Sequence, residues 1–160
     1  VSDLISSCVA DAQGLSEVLA GGTHRIAYSM TQDAQLAGSP EELTSALGNL
    51  LSNAVRYTPA GGRIDVGFEV LPDGDARLWV SDTGPGISAE HLPRLTERFY
   101  RVDRSRSRET GGTGLGLAIV KHVIQRHGGQ VNIRSELGVG STFELHLPSD
   151  RVRRVSALAR

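Results

Sequence analysis

The sequence predicts an α+β fold, a two-layer α/β sandwich with helices on one face of a mixed sheet. Three observations carry that expectation. Apolar residues recur at helical spacing in three separate stretches. Two pairs of alternating segments, each joined by a turn, read as hairpins. The order along the chain is helix, strands, helix, two strands, a long irregular connection, helix, two strands.

Residues 2–20 carry Leu4, Ile5, Cys8, Val9, Ala12, Leu15, Val18 and Leu19 as one apolar stripe, ended by Gly21-Gly22. Residues 25–31 alternate at Ile26, Tyr28 and Met30, as a strand does, and residues 35–38 make a short strand or loop. The second helix has the best-marked start. Ser39 is a candidate N-cap, Pro40 suits the first helical position, and Glu42 completes a Ser-x-x-Glu capping box. Leu43, Ala46, Leu47, Leu50, Leu51, Ala54 and Val55 then mark its apolar face. Thr58-Pro59 stops it, because a residue before proline is pushed out of the helical region.

Residues 63–71 alternate at Ile64, Val66, Phe68 and Val70; Pro72-Asp73-Gly74-Asp75 turns the chain; residues 77–81 return with Leu78 and Val80 on one side. Patterning weakens over residues 83–113, where a helical turn is expected at 88–92. A connection this long in a compact domain is a functional lid or a disordered segment. A third helix over 114–127 takes its bulk from Leu117, Ile119, Val120, Val123 and Ile124, and Gly128-Gly129 close it. Residues 130–136 and 141–147 form the second hairpin. The domain is expected to occupy residues 1–148, and the basic stretch 149–160 to be a loose tail.

At 160 residues the chain is one domain by size and long enough to bury a full core. A net charge of −1 offers no field for gripping nucleic acid. No apolar run approaches the ~20 residues of a membrane helix, so no direct membrane contact is expected. Cys8 is the only cysteine, which excludes an internal disulfide and a thiolate metal cluster; its neighbours Leu4, Ile5 and Val9 suggest a buried thiol. A chain opening on Val1 is expected to be a piece of a longer protein.

Four motifs stand out. Asn49, Asn53 and Arg56 share a polar stripe rotated away from the leucines of the second helix. Taken alone, that stripe fits a solvated face equally well. Asp82-Thr83-Gly84-Pro85-Gly86-Ile87 puts a carboxylate at a strand end before two glycines, which permit a sharp turn and close approach to a ligand. Glu97-Arg98-Phe99-Tyr100-Arg101 follows. Gly111-Gly112-Thr113-Gly114-Leu115-Gly116-Leu117 opens the third helix, whose N-terminus suits phosphate. That spacing is neither the dinucleotide fingerprint nor a P-loop, and without the asparagine helix it reads as a hinge.

Together, in this order and over essentially the whole chain, the motifs resemble the ATP-binding domain of sensor histidine kinases, whose Bergerat-type fold is shared with Hsp90, MutL and gyrase B. The run over residues 91–108 narrows the resemblance to the sensor kinases of phosphate regulation. The resemblance implies ATP and Mg²⁺ as cofactors. It assigns Asp82 to the adenine amino group, with Tyr57 stacking nearby. It assigns Asn53 to Mg²⁺, and Asn49 and Arg56 to the phosphates. Gly84, Gly86, Ile87, Gly112, Thr113, Gly114, Leu115, Gly116 and Leu117 form the nucleotide-handling backbone. The lid is placed at about 83–113. Arg101 there reaches the terminal phosphate, Tyr100 lines the site and Phe99 latches the lid.

Related hydrolytic ATPases carry a glutamate where this chain has Asn49. An amide is no general base at neutral pH, so slow hydrolysis and transfer to a protein acceptor are expected. The phosphoacceptor setting, a helical histidine followed by an acidic residue and Thr-Pro, is absent around His24, His91, His122, His127 and His146. The implied partners are therefore a separate dimerisation and phosphoacceptor domain and a response regulator. The implied location is the cytoplasmic side of a bacterial inner-membrane sensor. A serine kinase of the anti-sigma-factor type and a nucleotide-sensing module without transfer are the other readings. Arg104, Arg106 and Arg108 fit a solvated lid face, or contacts to nucleotide or a partner domain.

Overall fold

The computed structural model describes residues 1–100 and 115–155. Helix α1 (Ser2–Ala20) leads to strands β1 (Arg25–Met30) and β2 (Ala34–Leu36), then helix α2 (Pro40–Tyr57). Strands β3 (Arg63–Val70) and β4 (Ala76–Asp82) follow, with a 3₁₀ turn at Leu92–Arg94. Helix α3 (Gly116–Arg126) precedes β5 (Gln130–Glu136) and β6 (Gly140–Leu147); a second 3₁₀ turn and β7 (Val152–Arg154) come last.

Five strands form one sheet in the order β1-β3-β4-β6-β5. β1 runs parallel to β3, with Ile26 opposite Ile64, and the other pairs are antiparallel. Alternation decides what each face meets. Ile64, Val66 and Phe68 of β3, Leu78 and Val80 of β4, and Phe143, Leu145 and Leu147 of β6 are buried with the apolar faces of the helices. Burying one such side chain, as with Leu50 of α2 at 1% exposure, is worth roughly 1.5–3 kcal/mol. The opposite face is polar: Arg77 lies between Glu69 (3.0 Å) and Glu144 (2.7 Å) and over the Trp79 ring.

The expected two-layer sandwich is therefore present, and several local expectations need correcting. In α1 the inward face is Ile5, Cys8, Val9, Ala12 and Ser16, while Val18 is 81% exposed. A polar residue takes the last core position because its hydroxyl meets a buried histidine there. The Cys8 thiol is buried, and burial, with Asp11 nearby, pushes it up to about 11. Tyr28 is exposed, since β1 is an edge strand. Ile119 is also exposed, while Val120, Val123 and Ile124 supply the buried bulk of α3.

The capping box is half formed. Ser39 Oγ accepts from Glu42 N–H at 3.2 Å, but the Ser39 N–H donates to His127 Nε2 at 3.2 Å, and Glu42 pairs with Arg126. A buried imidazole 88 residues away replaces the local carboxylate. The helical turn expected at 88–92 lies at Leu92–Arg94. The stretch expected to be a loose tail begins with structure: a 3₁₀ turn spans Ser149–Arg151, and β7 pairs antiparallel with β2, placing Leu36 opposite Val152. An isolated basic stretch gives no sign of a strand whose partner lies more than a hundred residues earlier.

Candidate nucleotide-binding site

Helix α2 is the floor of the site. Leu47, Leu50, Leu51, Ala54 and Val55 point into the core, which leaves Asn49, Asn53 and Arg56 half-buried on another stripe. Asn49 Nδ2 donates to the Ser45 carbonyl at 2.8 Å, so its Oδ1 is directed elsewhere. It meets the first residue of α3: a Cβ on Gly116 would lie 3.0 Å from Asn49 Oδ1. Among the described residues no side chain caps the first turn of α3. Its leading N–H groups lack intrahelical acceptors, as at any helix start, and carry the positive end of the dipole. Arg56 Nε donates to Ser52 Oγ at 3.1 Å, which orients the guanidinium along the same stripe.

The other end of α2 meets the strand-end carboxylate. Asp82, the last residue of β4, accepts the Gly84 N–H at 2.9 Å. Burial raises its carboxyl above the ordinary range, opposed by the N–H groups of Gly84 and Ser141. Gly84 is required by packing, because a Cβ there would lie 2.9 Å from Asp82 Oδ1 and 3.2 Å from the Tyr57 carbonyl oxygen. Gly86 is required twice over. Its φ of +76° disfavours an L side chain, and a Cβ would sit 2.2 Å from the Glu136 carbonyl oxygen.

The sequence reading missed what holds this loop. Ser135 Oγ accepts the Ile87 N–H at 2.7 Å and donates to the Gly140 carbonyl at 3.1 Å, with Ser141 Oγ 2.8 Å away. The Gly138 N–H donates to the Pro85 carbonyl at 2.9 Å. The β5–β6 hairpin thus backs the Asp82 loop. The two glycines around Val139, directly before Ser141, are the available signal in the sequence.

The structure brings Asn49 to Gly116, and Asp82 and Gly84 to Tyr57, with Asn53 and Arg56 between. These two ends lie about 12 Å apart along α2 at 1.5 Å per residue. Leu115 and Leu117 flank Gly116 at the start of α3. Tyr100 is occupied within its own segment: its hydroxyl bonds His91 Nδ1 and Arg94 stacks over its ring at 4.5 Å. Phe99 is 68% exposed. Arg101, Gly112, Thr113 and Gly114, and the arginines at 104, 106 and 108, lie outside the described residues. A separate cleft of about 490 Å³, bordered by Leu92, Thr96, Lys121 and Ile133, contains none of these side chains.

A helix with two amides, a strand-end aspartate on a glycine loop and a helix N-terminus facing those amides define a class of nucleotide-binding ATPase. Residues 38–151 match the family of histidine kinase-, DNA gyrase B- and HSP90-like ATPases, and the chain belongs to it. Within that family its likeness is to the ATP-binding domains of sensor histidine kinases. It is 52% identical over 152 residues to the phosphate regulon sensor protein PhoR of Pseudomonas aeruginosa, covering 95% of this chain and 33% of that protein. It superposes on the mycobacterial sensor histidine kinase MprB with a TM-score of 0.75 at 26% identity, covering 94% of this chain and 97% of that one. Full-length ShkA, solved in complex with AMPPNP, gives a TM-score of 0.75 at 28% identity, covering 96% of this chain and 31% of that one. The chain spans about a third of the length of the curated relatives it matches. Among the described residues no helix is long and apolar enough to cross a membrane.

Proposed function

We propose that this chain binds Mg-ATP and donates the γ-phosphate to a histidine on a separate dimerisation domain, for relay to a response regulator. The observation that carries the reading is the approach of Gly116 to Asn49: the N-terminus of α3 faces the amide stripe of α2. Asp82 accepts from the adenine amino group and Tyr57 flanks the base. Asn49, Arg56 and the first turn of α3, Leu115 to Leu117, hold phosphate oxygens. Arg101 neutralises the terminal phosphate, and residues 83–113, with Tyr100 and Phe99 among them, serve as the lid.

Among the described residues no three His, Cys, Asp or Glu side chains cluster as a metal site. The residues fit Mg²⁺ held in another way, by the Asn53 amide oxygen together with phosphate oxygens, since Mg²⁺ takes few protein ligands beside phosphates and water. ATP supplies the phosphoryl group. The chain's own contribution is to orient it and exclude a hydrolytic base, which the amide at Asn49 does. The likeness to PhoR supports a parent kinase in a bacterial inner membrane, with this domain in the cytoplasm and phosphate regulation as its output.

Calorimetric titration of ATP with and without Mg²⁺ tests the reading. Asp82→Ala is expected to abolish binding, and Asn53→Ala to remove its Mg²⁺ dependence. A wild-type chain that binds no adenine nucleotide overturns it.

A further inference from the structure

Three successive residues leading into β1 are tied to the loop that leaves α2. Thr23 Oγ1 accepts the Gly61 N–H at 3.2 Å, His24 Nε2 reaches the Thr58 carbonyl at 2.7 Å, and the Arg25 N–H donates to the Gly62 carbonyl at 2.9 Å. His24 is the buried member, and its other nitrogen, Nδ1, lies 2.7 Å from Ser16 Oγ on α1. A carbonyl only accepts, so Nε2 carries a proton; in the neutral ring Nδ1 is then the acceptor and the Ser16 hydroxyl donates. The hydrogen-bond chain therefore runs in one direction, from Ser16 through His24 to Thr58.

The far side of the same loop rests on the Asp82 turn. The Tyr57 carbonyl packs against Gly84, and Gly62 lies close to Thr83 Oγ1, which accepts the Arg63 N–H at 2.9 Å. Residues 57–62 are thus held between His24 on one side and the Asp82–Gly84 turn on the other. Thr58 Oγ1 is already buried without a partner among the described residues. Losing His24 leaves a second polar atom of Thr58 unpaired, and the loop must shift toward solvent to satisfy it.

We propose that His24 is a positioning residue for the adenine end of the site: it fixes the carbonyl following Tyr57 and thereby the distance between Tyr57 and Asp82. The inference rests on the adenine role proposed for Asp82. His24 lies outside the 38–151 stretch that carries the family match, so it extends the site to the α1–β1 connection.

ATP and GTP are titrated into the wild-type chain, His24→Leu, His24→Gln and Ser16→Ala, with circular dichroism confirming that each is folded. In His24→Leu the affinity for ATP falls about tenfold, the size expected for one unpaired buried carbonyl. Affinity for GTP, whose ring presents no amine to Asp82 at that position, changes less than about twofold, so discrimination between the bases shrinks. His24→Gln keeps an N–H for Thr58 and binds ATP within about twofold of wild type. Should His24→Leu not fold, Ser16→Ala carries the test: it frees the imidazole and weakens ATP about threefold, again more than GTP. Unchanged ATP affinity in the folded variant, or equal losses for both nucleotides, assigns His24 to stability alone and overturns the proposal. A wild-type chain that binds neither nucleotide overturns the functional reading itself.

Discussion

The two ends of the site along α2 are built differently. At the C-terminal end, the Asp82 loop is sewn in from both sides, by Ser135 and Gly138 from the hairpin and by Gly84 against Tyr57. Toward the middle of the helix, Asn49 meets the N-terminus of α3 through a glycine contact. The difference suits the two halves of a nucleotide. A base is read by fixed donor and acceptor positions, which need a rigid frame. Phosphates are held by backbone N–H groups and dipole, which need an approach kept open.

The sharpest way to break the comparison is at Gly86. Gly86→Ala adds a Cβ into the Glu136 carbonyl at a positive φ. It is expected to cost roughly 2–4 kcal/mol in a denaturant melt and to remove nucleotide binding. An unchanged melt would show that the loop is not anchored to the hairpin as described.

The next test separates the two buried histidines. His127 holds the α2 N-terminus, donating from Nδ1 to the Val123 carbonyl at 2.7 Å and accepting from Ser39 N–H. His127→Leu is expected to cost about 1–3 kcal/mol of stability yet leave ATP affinity of the folded protein within about twofold, because the Ser39 N–H it holds lies ten residues before Asn49. A large loss of ATP affinity would remove the distinction between the two ends.

The smallest effect concerns pH. Burial raises the Asp82 carboxyl in the folded state, so the folded chain favours the protonated form. Ionisation then costs stability as pH rises from the unfolded value of about 4 through the higher folded one. Asp82→Asn should therefore be slightly more stable than wild type at neutral pH, with the advantage vanishing below about pH 4, in melts taken across that range. A stability gap independent of pH would place the effect elsewhere.

Much of the architecture was legible because it is periodic. The apolar face of α2 and the alternation of β3 follow from side-chain geometry repeated over several residues. Where the reading failed, the competing interaction was distant. Val18 and Leu19 fit the α1 stripe by spacing, yet Ser16 is the residue turned inward, toward His24. Glu42 fits a capping box by spacing, yet His127 takes its place. Asn49, Asn53 and Asp82 were marked out by motif, whereas Ser135 carries no motif and shows its role only when Ile87 arrives beside it.

The sequence by itself determined most of the helices and strands and the inward faces of α2 and β3, since each depends on neighbours within a turn or two. Only the tertiary structure decided which backbone groups those residues would be held by: Ile87 on Ser135 across 48 positions and Thr58 on His24 across 34. The physical reason is that a buried polar group must find a partner, but not one nearby in the chain. Sheet order and helix packing choose that partner, and neither is written in any local pattern.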